Sequence, residues 1–188
     1  MENSAEKRDM TYDYLVISTS LSPESKSRVM AKAVFDELAN KDKVKFIDLQ
    51  DYPLPICDGG ACYGDANVQE LADLIANARC VLMAAPVYNF YLSAAAKNLI
   101  ELTGRAWTDK VVGFLCAAGG KSSYMSVMNV ANSLMLDFRC VIIPRFVYAD
   151  GSSFQANQIT DSDMQRRIVE LADAARRMIA INGPVAVT

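Results

Sequence analysis

The chain has 188 residues, 52% of them hydrophobic, and a net charge of −3 from 19 basic and 22 acidic side chains. That length and composition fit one domain, residues 1–188, with ample apolar material for a core, and the charge balance is not that of a nucleic-acid binder. No run approaches the roughly 18 apolar residues of a membrane span, so no membrane partner is expected. Five cysteines in a chain too large to need disulfides fit a reducing, cytoplasmic setting. Histidine is absent altogether. This removes Ser-His-Asp and Cys-His nucleophilic catalysis and every His-containing metal site. The chemistry is therefore expected from something else, and a cofactor is the economical candidate.

Residues 1–11 (MENSAEKRDMT) are polar, mixed in charge and read as a loose arm without the apolar centre of a signal peptide. Residues 14–18 (YLVIS) have the length and apolarity of a buried strand. The polar stretch TSLSPESKSR follows, then a helical pattern with Val29, Met30, Ala33, Val34 and Leu38 on one face. Residues 44–49 (VKFIDL) read as a second strand. A loop dense in Pro, Gly and Asp leads to a helix over 68–78 and a third strand over 81–85. Pro86 then opens an aromatic loop, and a helix with Ala95, Ala96, Leu99 and Ile100 inward runs to Gly104. A fourth strand spans 110–117, a Gly loop and a helix over 124–137 follow, and a fifth strand spans 140–143. Residues 145–158 look irregular. A long amphipathic helix over 161–181 closes the chain, with several N-cap candidates at its start.

Five strands alternating with five helices, joined by right-handed crossovers, predict an α/β doubly wound fold. The expected form is three-layered and flavodoxin-like, a five-stranded parallel sheet in the order 2-1-3-4-5. Ligands of such sheets bind beyond the carboxyl ends of the strands, where three unusual loops are expected to gather.

The first loop, residues 19–28, holds four serines, a threonine and two cations where a helix begins. Helix N-termini present free N–H groups and partial positive charge, so they hold phosphate; Arg28 or Lys26 adds charge, while Glu24 opposes a phosphate unless it points outward. The loop is neither a Walker A nor a GxGxxG motif. Its plainer reading is a cap, with Ser22 as N-cap and Pro23 at the first helical position. The second loop, Pro86-Val87-Tyr88-Asn89-Phe90-Tyr91, reads as a bed for a planar ring or as an aromatic subunit contact. In the third, residues 117–123 (AAGGKSS), paired glycines either admit a ligand close to the backbone or simply end a strand.

Together the three loops resemble the NADPH-dependent FMN reductase family of flavodoxin-like proteins, which also includes quinone and azo-dye reductases. TSLSPESKSR is similar in spacing to that family's GSLRxxSxNR, and PVYNFYLSAAAKNLIE to its PEYNxSxPxxLKNAID, with Pro86, Tyr88, Asn89, Lys97 and Asn98 in common. The resemblance covers residues 14–147. It implies an FMN phosphate on Ser20, Ser22, Ser25, Ser27 and Arg28, and a flavin ring near Pro86, Val87, Tyr88, Asn89, Phe90, Gly119, Gly120 and Lys121. Thr19 and Val87 replace a usual Gly and Glu, Ser22 stands where the family often has Arg, and Phe90 and Tyr91 replace small residues. PVY also looks like the related iron–sulfur flavoproteins, yet the loop before the second helix offers only Cys57 and Cys62 where a cubane cluster needs about four thiolates.

The resemblance thus implies an FMN-dependent oxidoreductase, a homodimer or homotetramer, in which the flavin does the chemistry with no catalytic side chain and no metal. Electrons would pass from NADPH or NADH to free flavin, a quinone or a similar small acceptor. Two other readings stand beside it. A flavodoxin-like electron-transfer protein would favour long acidic surface loops, which the chain lacks. A non-catalytic flavin-binding dimer would follow if Phe90 and Tyr91 close the site.

Overall fold

The structure, a computed structural model, describes residues 12–182; the expected N-terminal arm lies outside them. Four apolar runs form the parallel centre of a sheet: β1 (Tyr12–Ser18), β2 (Val44–Asp48), β3 (Ala78–Tyr88) and, after the short antiparallel β4 (Tyr91–Leu92), β5 (Val111–Ala117). Beyond β5 lie β6 (Val141–Ile142) and β7 (Val147–Ala149), both parallel to it. The order is β2-β1-β3-β5-β6, which is the expected doubly wound order, but the sheet counts seven strands instead of five.

The two extra strands have local causes. At the edge, Pro144 has no N–H to donate, so the fifth strand breaks there and pairing with β5 resumes only at Val147. At the centre, β3 runs on past Pro86 to Tyr88 and folds back as a hairpin with β4. The proline is tolerated because the pairing of β1 with β3 has already ended at Ala84. The stretch expected to be irregular, 145–158, therefore contains β7, and it also opens a small hairpin of β8 (Phe154–Gln155) and β9 (Gln158–Ile159).

Helices cover both faces, which is why the central strands read as continuous apolar runs and not as alternating ones. On one face Leu15, Ile17, Met83 and Phe114 pack with α2 (Ala66–Ala76), α3 (Ala94–Thr103) and α4 (Met128–Phe138). On the other, Tyr14, Val16, Leu82 and Leu115 meet α1 (Lys26–Ala39) and α5 (Ser162–Asn182). Gly113 lets α5 approach the sheet: a methyl there would stand 2.7 Å from Leu82 Cδ2 and 3.2 Å from Leu171 Cδ1. Asp65 and Ser93 cap α2 and α3, each accepting from amides of the first turn. The start of α1 differs from expectation. Its N-cap is Ser25, whose hydroxyl accepts from the Arg28 amide, and not Ser22.

Candidate functional site

The first loop leaves the end of β1 tied to β3. Thr19 donates twice to the Ala84 carbonyl, through its amide at 2.9 Å and its hydroxyl at 3.1 Å, which gives this departure from the usual Gly a structural use. Ser20 Oγ accepts from the Ser22 amide at 3.3 Å. Ser25 Oγ accepts from the Arg28 amide at 3.1 Å and lies 3.0 Å from Ser27 Oγ. Ser20, Ser25 and Ser27 are buried, Ser22 and Glu24 exposed.

The second loop is the β3–β4 hairpin. Asn89 and Phe90 have φ of 51° and 61°, the left-handed pair that a tight two-residue hairpin turn needs. Val87, nearly buried, sits opposite Leu92. Tyr88 and Phe90 are 56% and 64% exposed. The third loop leaves β5 and enters a short 3-10 segment over Lys121–Val127. It is braced from outside, where the Tyr148 hydroxyl donates to the Gly120 carbonyl and Tyr124 meets Phe146 at a tilt and Tyr148 edge to face.

The three loops meet in one cavity of about 610 Å³ at the carboxyl ends of β1, β3 and β5. Of the residues singled out in the sequence, Ser20, Ser22, Ser25, Ser27, Pro86, Val87, Tyr88, Asn89 and Gly119 line it. Arg28, Phe90, Gly120 and Lys121 do not. Arg28 turns back onto the loop and onto Asp48, and Phe90 projects from the hairpin tip. Glu24, Lys26, Ala117 and Ala118 complete the wall. The hydrogen bonds of Ser152, then the charges of Lys121 and Lys26, hold the Asp150 carboxyl below its usual range. The brace Tyr148 carried no signal in the sequence, because its use depends on where β7 lands.

Residues 13–155 match the NADPH-dependent FMN reductase family. The chain belongs to that family. It is an oxidoreductase that works with FMN and NAD(P)H. An NAD(P)H-dependent FAD/FMN reductase of Geobacillus thermodenitrificans is 29% identical to it over 133 residues, 69% of this chain and 71% of the relative. An FMN reductase (NADPH) of Pseudomonas aeruginosa is 28% identical over 176 residues, 88% and 92% of the two chains. Among solved structures, the flavoenzyme NAD(P)H:(acceptor) oxidoreductase FerB of Paracoccus denitrificans superposes with a TM-score of 0.75 at 20% identity, covering 93% of this reductase and all of that chain. That last likeness is one of fold.

The cavity of the reductase fits a phosphorylated flavin. Its wall carries four serines and the start of α1, whose first amides lack intrahelical acceptors. Nothing lies within 4 Å of where a Cβ would stand on Gly119, so the backbone there is open to a ring. A second cavity, about 550 Å³, shares the first loop: Ser20 and Ser22 face one, Leu21 the other. It is lined largely by apolar groups, Leu49, Tyr52, Leu54, Ile56, Ala94 and Ala95 among them. Its Asn98 is already engaged, accepting from the Cys57 amide at 2.9 Å and donating to the Pro55 carbonyl at 2.8 Å. The Asn of the family-like motif thus pins the loop after β2 onto α3.

Proposed function

We propose that the reductase binds FMN in the three-loop cavity and passes electrons from NAD(P)H to a small acceptor such as free flavin or a quinone. The observation that carries this is the convergence of the serine loop, the hairpin and the Gly loop on a single cavity. Ser20, Ser22, Ser25 and Ser27 would take the phosphate, helped by the α1 N-terminus. Pro86, Val87, Tyr88, Asn89 and Gly119 would take the ring. Bound flavin supplies the two-electron chemistry; the protein supplies binding, orientation and a site for the acceptor. The apolar cavity beside Leu21 supports a hydrophobic acceptor.

The same reading includes assembly and setting. Tyr88 and Phe90 stand exposed next to the cavity, and aromatics are enriched at subunit interfaces, so the reductase works as a homodimer with its interface near the flavin, or as a tetramer built from such dimers. Five free cysteines support a reducing, cytoplasmic location. Among the described residues no helix is long and apolar enough to cross a membrane.

The test is a visible spectrum of the purified protein followed by anaerobic mixing with NADPH and with NADH. A yellow protein bleached by either nucleotide is expected. A colourless protein that takes up no added FMN would overturn the assignment, and one bleached only by a protein reductant would make it an electron carrier.

A further inference from the structure

The guanidinium of Arg28 is fully engaged, and not with the cavity. Its Nε donates to Asp48 Oδ2, and Nη2 reaches Asp48 Oδ1 at 3.4 Å. Nη1 donates to the carbonyls of Ser22 at 2.9 Å and Pro23 at 3.1 Å, and Nη2 donates to the carbonyl of Ser20 at 3.1 Å. A guanidinium has five N–H donors and no acceptor, so these contacts leave none for a ligand. The ion pair is well covered, with side chains 11% and 13% exposed.

Three carbonyl oxygens of one short loop therefore point at one cation. Turned the other way, they would set the negative ends of three peptide dipoles against any anion in the cavity. Held inward, they leave the Ser20 and Ser22 hydroxyls and the first amides of α1 as the groups on the anion's side. Asp48 fixes the guanidinium from the end of β2, and it is itself held in place by accepting from the Gln50 amide at 3.2 Å. Lysine cannot replace this fork, because an ammonium lacks the planar array of donors.

We propose that Arg28 and Asp48 form a positioning pair that shapes the first loop into an anion cradle without touching the anion. The inference rests on the placement of the FMN phosphate in that loop. It predicts that the pair governs the preference for FMN over riboflavin, and not flavin binding in general.

The experiment compares FMN and riboflavin dissociation constants by fluorescence quenching for the full chain, freed of flavin, as wild type, Arg28→Met, Arg28→Lys and Asp48→Asn. Wild type should prefer FMN. Both Arg28 variants should lose FMN affinity by about tenfold or more while riboflavin affinity stays within about twofold, and Asp48→Asn should move the same way by less. Variants that keep the wild-type FMN-to-riboflavin ratio, or that lose both flavins equally, would overturn the inference and leave the phosphate placement standing. Equal affinity of wild type for the two flavins would overturn that placement itself. Should Arg28→Met fail to fold by circular dichroism, Arg28→Lys and Asp48→Asn decide the question.

Discussion

The Lys26 ammonium lies 5.7 Å from the centroid of the Phe154 ring. This contact joins the first residue of α1 to the small β8–β9 hairpin and holds a cation at the wall of the cavity. Lys26 matters because Ser22 occupies the place where the family often has arginine, and because Arg28 is committed elsewhere. Lys26→Gln should weaken FMN by about 1 kcal/mol, near the upper end for an exposed ion pair, and should flatten the salt dependence of binding. Riboflavin affinity should not change. Titrations of both flavins at low and high salt check this.

Two glycines on the same strand-and-loop unit should respond in opposite ways. Gly119 faces open space at the cavity, so Gly119→Val should lower flavin occupancy with little effect on thermal stability. Gly113 has no such room. Gly113→Ala should cost about 1–3 kcal/mol by overpacking and leave the flavin-to-protein ratio of the folded fraction unchanged. Absorbance ratios and thermal melts read the two effects separately.

Phe90 is held at a φ of 61°, a conformation that costs a bulky residue roughly 1–3 kcal/mol, and its ring gains little burial within the chain in return. A contact with a second subunit would account for that arrangement. Sedimentation at micromolar concentration should show a dimer for wild type and a shift toward monomer for Phe90→Gly, with no loss of monomer stability because Gly relieves the strain. A flavin-replete wild type that stays strictly monomeric would remove this hairpin from any interface.

The cavity wall carries one carboxylate, one amine and one phenol, from Glu24, Lys26 and Tyr88, and the chain has no histidine, the side chain whose ordinary pKa of about 6.5 falls in mid-range. Burial pushes the Cys116 thiol up to about 12 and the Cys140 thiol to about 11, so both stay protonated between roughly pH 5 and 8, the span in which histidine titrates. Lys110, whose pKa burial lowers, stands at the opposite end of β5 from the cavity. Stopped-flow reduction by NADH should therefore vary little across that window. A steep bell near neutrality would place a titrating protein group in the reaction.

The strand order and the three loops were legible in the sequence because each rests on local grammar: an apolar run, a Pro or Gly break, a helical stripe. The exceptions arise where distant segments decide. Asp48 reads as the polar end of a strand until the fold brings it to Arg28, twenty residues away, and then Arg28 ceases to be available to a phosphate. Serine is a competent cap at either 22 or 25, so residue type alone does not decide between them, and the folded helix takes Ser25. The hairpin at Asn89 and Phe90 was hidden because Phe is a poor residue for a left-handed position, so the pattern does not announce a turn.

The interruption at Pro144 has a consequence for how these molecules meet in a crowded solution. A foreign strand can dock on an exposed sheet edge only where it finds an unbroken row of amide and carbonyl partners. Here β6 offers two residues and β7 three, separated by a proline that cannot donate. Each stub is too short to template another chain, and the gap keeps them from acting as one. The outer margin of the folded sheet is thereby protected against edge-to-edge pairing with another chain. Replacing Pro144 with a β-branched residue would be the way to lose that protection.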